Sequence, residues 1–119
     1  MNDLQEQLLR ASRLVDAQKL DDADKLYREV LDRMPAQADA LHGLGIIALK
    51  RGQPGIALNY LRRAVGQLAK IDAPKPLIAI FVANLGRAYQ LSGDDLSACQ
   101  HYQHSLNFNR NSQVVTWLQ

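Results

Sequence analysis

His101 and His104 lie three residues apart, a spacing that brings two imidazoles to one side of a helix, as a pair of metal ligands would need. No Asp, Glu or Cys stands at ligand spacing to complete the set, and Cys99 falls on a different face, so both read as solvent-exposed histidines. Cys99 is the only cysteine; beside Ala98 it reads as a small buried thiol that behaves as a hydrophobe, and it excludes an internal disulfide. Gly43-Leu44-Gly45 lacks the preceding strand and the third glycine of a dinucleotide fingerprint. No P-loop, Gly-x-Ser-x-Gly or His-Glu-x-x-His occurs, and the two glutamates, Glu6 and Glu29, are expected on exposed helix faces. The sequence therefore predicts a protein that is not an enzyme, with no catalytic residue, cofactor or metal.

What must position these residues is helical. Leu (19) and Ala (15) far outnumber Val plus Ile (12) in the 119 residues, and β-branched residues are those that strands prefer. A chain of this length is expected to fold as one domain over residues 1–119. No apolar run approaches the ~20 residues of a membrane span, and Met1 to Glu6 lacks the basic segment and apolar core of a secretory signal. The expectation is an intracellular, cytoplasmic domain with no membrane span. Residues 38–71 hold one acid and five bases, a balance of +4 within a total of +2. That band is able to attract an acidic partner but reads as a solvated face. Nucleic acid binding would want a denser basic stripe with interleaved aromatics, so no nucleic acid partner is expected.

Breakers at Asp21-Asp22, Met34-Pro35, Gly52-Gln53-Pro54-Gly55, Asp72-Ala73-Pro74, Gly93-Asp94-Asp95 and Asn109 to Ser112 divide the chain into six helix-length stretches and a stub. Apolar residues recur at helical spacing in each, as in Leu4, Leu8, Ala11, Leu14 and Val15. Short joints between them imply three helical hairpins. Aligned, the hairpins share a register. Ala11, Gly45 and Gly86 match; Ala23, Ala57 and Ala98 follow twelve residues on, and Tyr27, Leu61 and Tyr102 four beyond those. The first interval is 34 residues and the second 41, so seven extra residues enter near Asp72 to Ile78. A small residue on each helix of a pair lets the two backbones approach, and the large residue one turn on fills the groove toward the next hairpin.

On those residues the chain resembles the tetratricopeptide repeat (TPR), a 34-residue helix–turn–helix unit. Its small position 8 is Ala11, Gly45 and Gly86, and its position-20 Ala is Ala23, Ala57 and Ala98. The position-4 Trp is absent, replaced by Gln7, Leu41 and Val82, and the position-32 Pro appears only as Pro35. The resemblance implies an all-α, right-handed solenoid of three hairpins, with repeats at about 4–37, 38–71 and 79–112, an insertion at 72–78 and a short C-terminal capping helix at 113–119. Pro76 is expected in the first turn of an early-starting fifth helix that projects past its neighbours.

The resemblance also implies that the first helices line a concave groove. Its predicted lining is Leu8, Ser12, His42, Ile46, Leu49, Lys50, Ala83, Asn84, Arg87 and Leu91, an apolar strip with few polar groups. Of the family's carboxylate clamp and of its asparagine ladder, only Asn84 is matched. Such a strip suits an extended peptide or amphipathic helix with apolar anchors, hence a protein or peptide partner and a scaffold role. The competing expectations are a self-associating structural module, a homo-oligomer joined through Trp117 and Leu118, and the regulatory TPR segment of a larger enzyme or assembly.

Overall fold

Residues 3–109 are described by a computed structural model, and among them there are six helices: α1 (Asp3–Asp16), α2 (Leu20–Arg33), α3 (Ala38–Lys50), α4 (Pro54–Lys70), α5 (Lys75–Leu91) and α6 (Asp95–Asn109). Each pair, α1/α2, α3/α4 and α5/α6, forms a hairpin across a three-residue turn, and four residues separate one hairpin from the next. The hairpin turns share one geometry. Gln18, Gly52 and Gly93 take left-handed φ of 61°, 71° and 90°, and the next residue's N–H returns to the carbonyl of Leu14, Ala48 or Tyr89 at 2.8–2.9 Å. Glycine meets that conformation without a Cβ clash in two of the turns, and Gln18 does not in the first.

Helix starts follow local chemistry. Pro54 opens α4, where its missing N–H has no partner to lose. The Gln37 side chain accepts from the Ala40 N–H at 2.8 Å, and Asp94 Oδ1 accepts from the Ser97 N–H at 3.1 Å. The Ser97 hydroxyl, which donates to Asp94 Oδ2 at 2.7 Å, and then that N–H hold the Asp94 carboxyl below the usual carboxylate range.

The core follows the repeat. Ala11, Ala23, Ala57 and Ala98 are buried, and a Cβ added to Gly45 would lie 2.5 Å from Leu61 Cδ2, so any side chain there would have to displace Leu61. A Cβ on Gly86 would meet His101 and Tyr102 at 3.2 Å. At the start of the stack, Gln7 spans α1 to α2 where the repeat resemblance calls for Trp. It donates to the Leu26 carbonyl at 3.2 Å and accepts from Arg33 at 2.6 Å.

The seven inserted residues leave the joint itself unchanged. α4 runs three residues further than α2 does in register, and α5 starts four residues earlier than α3, with a four-residue turn still between them. Pro76 falls in the first turn of α5 as expected, but both helices, not α5 alone, gain about a turn. Cys99 is exposed, contrary to its reading as a buried thiol: the position after Ala98 points off the hairpin. His101 is half-buried rather than free. It stacks on Tyr89 with centroids 4.9 Å apart, and Nδ1 lies 2.7 Å from the Ser97 carbonyl.

Candidate functional site: the inner face of the first helices

The first helices of successive hairpins touch, α1 against α3 and α3 against α5, whereas the second helices approach one another less closely. A stack crowded along one row and splayed along the other curves toward the crowded row, so α1, α3 and α5 line the concave side.

α3 is the middle of that row and is packed from both sides, which explains why Ile47, Ala48 and Leu49 are all buried. Leu49, predicted in the groove, is 6% exposed and joins Ala48, Leu61, Leu85 and Ala88 in the core between the second and third hairpins. Leu8 and Ile46 are half-buried against the core of the first joint, and Ser12 and Lys50 are exposed. On α5, Ala83 and Asn84 are half-buried and Arg87 is exposed, while Ile80 and Leu91 are 54% and 52% exposed. Trp117 and Leu118, with the expected helix at 113–119, lie outside the described residues.

A polar group ties α3 to α5 on this side. The His42 ring lies flat on Phe81, with centroids 3.9 Å apart and planes 4° from parallel, and Asn84 Nδ2 is 3.0 Å from His42 Nε2. An amide nitrogen only donates, so Nε2 accepts and the imidazole is neutral with its proton on Nδ1. Burial, which penalises the charged ring, lowers the His42 pKa from 6.5 to about 4. The Asn84 carbonyl oxygen keeps its capacity to accept.

Sequence reading missed two cross-repeat contacts. Phe81 carries no sign in the sequence that it stacks on an imidazole 39 positions earlier. Arg62, within the basic band read as a solvated face, donates through Nε to the Tyr89 hydroxyl at 2.9 Å and lies over that ring. Neither pairing has a local signal, because both span separate hairpins. Arg51 likewise pairs with Asp21 and with Asp24, the latter at 2.9 Å, tying the α3–α4 turn to α2. Among the described residues no group of three His, Cys, Asp or Glu is placed to hold a metal ion. No helix among them is long and apolar enough to cross a membrane.

The chain thus has the fold of a tetratricopeptide-repeat domain: three hairpins in one register, with first helices lining the concave side. Among solved structures it is similar to the TPR2AB-domain:pHSP90-complex of yeast Sti1, at a TM-score of 0.77 and 23% identity, over 97% of this chain and 44% of that one. It is also similar to the N-terminal domain of stress-induced protein-1 from C. elegans, at a TM-score of 0.75 and 17% identity, over 98% and 94% of the two chains. Among curated proteins it is 32% identical over 90 residues to cellulose synthase operon protein C of Pseudomonas fluorescens, a match that spans 75% of this chain and 7% of that protein. No family model matches the chain.

Proposed function

We propose that this chain is a non-catalytic interaction module that holds an extended peptide or an amphipathic helix on its concave side. The observation that carries the reading is the inner face of α5. Ile80 and Leu91 stand more than half exposed on either side of Asn84 and Arg87, while Ala79, Phe81, Val82, Leu85, Gly86 and Ala88 of that helix are buried in packing. Apolar side chains held open beside polar groups in a groove are what a binding surface needs and what a finished core lacks. The similar TPR2AB domain of Sti1 is described in a complex with pHSP90, which supports a protein or peptide as the occupant.

Selection of a displayed peptide library against the immobilised chain tests this. Peptides recovered should lose binding to Leu91→Asp and Ile80→Asp variants that melt at the wild-type temperature. Peptides that bind those variants as well as they bind the wild type would remove the groove from the account.

A second reading, self-association, is favoured by the outer face of α6. Leu96 and Leu106 are 72% and 59% exposed there, whereas the equivalent faces of α2 and α4 are covered by the next hairpin through Arg51 and Tyr89. We propose a second copy of this chain as its occupant. Light scattering across a concentration series decides it, since a mass that stays monomeric throughout would exclude it. A place as one segment of a larger assembly is a further proposal, in keeping with the 7% of the curated relative that the match spans.

A further inference from the structure

From the groove reading above we infer the kind of segment it takes: an extended stretch with two apolar side chains five residues apart and an acidic side chain between them, read by Arg87 and Lys50. This rests on the groove being the binding surface and adds the chemistry of the occupant.

The electrostatic observation is one-sided. Residues 40–93 hold seven lysines and arginines against a single acid, Asp72, which sits in the α4–α5 turn. α4 and α5 contain no acid at all. Of the seven cations, Lys70 and Lys75 border the α4–α5 turn that holds Asp72, Arg51 is neutralised by Asp21 and Asp24, and Arg62 and Arg63 lie over tyrosine rings on α4's side of the molecule. Arg87 and Lys50 are exposed and have no hydrogen-bond or ion-pair partner among the described residues. They flank one core cluster, which Ala48 and Leu49 of α3 share with Leu85 and Ala88 of α5, one or two positions from each cation. Two unneutralised cations at the same level of the inner face complement one carboxylate. This is a side-chain carboxylate in mid-segment, not a chain terminus, because the first hairpin supplies Leu8 and Ser12 rather than further cations on its inner face.

Spacing follows from helix geometry. Ile80, Arg87 and Leu91 lie along one face of α5, so Arg87 is about 10 Å along the axis from Ile80 and about 6 Å from Leu91. An extended chain advances about 3.3 Å per residue, which places the acid about three residues from one apolar anchor and about two from the other. An extended occupant fits better than a helical one. A helix is about 10–12 Å across, as wide as the 8–10 Å between packed helix axes, and would ride on the ridges above the His42–Phe81 floor.

Fluorescein-labelled peptides with leucines at i and i+5, serine elsewhere, and Glu, Gln or Lys at i+2 or i+3 test this by polarisation. The Glu peptide of one order should bind at least tenfold tighter than its Lys counterpart. That preference should shrink as ionic strength rises from about 0.05 M to about 0.5 M, and Arg87→Glu should invert it. If Glu, Gln and Lys peptides bind alike and Leu91→Asp weakens all of them, the groove reading stands and acid recognition is wrong. If Arg62→Glu or Arg63→Glu abolishes binding while Arg87→Glu does not, or if no peptide binds, the groove reading fails with it.

Discussion

The two joints between hairpins use the same positions in opposite ways. In the first, the Tyr27 ring lies where a side chain on Gly43 would be, so the joint closes by bare backbone against an aromatic face. Burial and the nearby Asp39 and Asp16 raise that phenol to about 12, which keeps it neutral. In the second, the matching positions hold Leu61 and Asn84: the large residue is shorter, and a side chain is admitted that reaches His42. The second joint is also the one whose helices are each a turn longer. One joint is sealed, and the other carries the polar pair, the exposed apolar residues and the unpaired cations. The repeat register sets the stack, and departures from it set where a partner can be read.

The largest effect is expected between the two joints, where α3 crosses α4 inside the second hairpin. Gly45→Leu and Ala57→Leu should each cost about 1–3 kcal/mol or more in a urea melt, because both overfill a crossing with no free volume. The large pH effect belongs to the open joint. With a folded pKa of about 4 for His42 against 6.5 unfolded, the unfolded chain takes up the proton more readily between those values. Stability is therefore complete above about pH 6.5 and is lost as pH falls toward 4, by up to about 3 kcal/mol. A His42→Phe variant should show a flatter profile over that range.

Gly43→Ala should destabilise by about 1–2 kcal/mol despite the better helix propensity of alanine, since the new methyl meets the Tyr27 ring. Adding Tyr27→Leu should recover part of the loss, which would convert the first joint toward the second. Gly66→Ala, where a Cβ meets nothing, should instead stabilise by about 0.5–1 kcal/mol. The smallest effect is expected for Arg62→Ala, below about 1 kcal/mol, because its bond to Tyr89 is exposed.

The repeat was legible because it is written in size. Ala23, Ala57 and Ala98 recur at one place in each hairpin, and the crossings there tolerate nothing larger. Turn glycines were legible for a similar reason at Gly52 and Gly93; Gln18 was not, because its left-handed φ is imposed by the hairpin and carries no residue signal. The split of the insertion between α4 and α5 was hidden, since Asp72 and Pro74 mark a turn without saying which helix absorbs the surplus. The site was half legible. Ile80 was absent from the predicted lining, and Leu49 was assigned to the groove because helical periodicity gives a face its direction but not how deeply two neighbours bury it. His42, Phe81 and Asn84 meet only through the stacking of α3 on α5, which no local pattern encodes.

Chemical-shift mapping of an amide-labelled chain against the tightest peptide from a library selection tests the central claim most directly. The account predicts the largest shifts at Ile46, Lys50, Ala83, Arg87 and Leu91, with Ile56 and Arg63 on the second helices unmoved. Shifts concentrated on Ile56 and Arg63, or on the outer face of α6 around Leu106, with α5 silent, would contradict it.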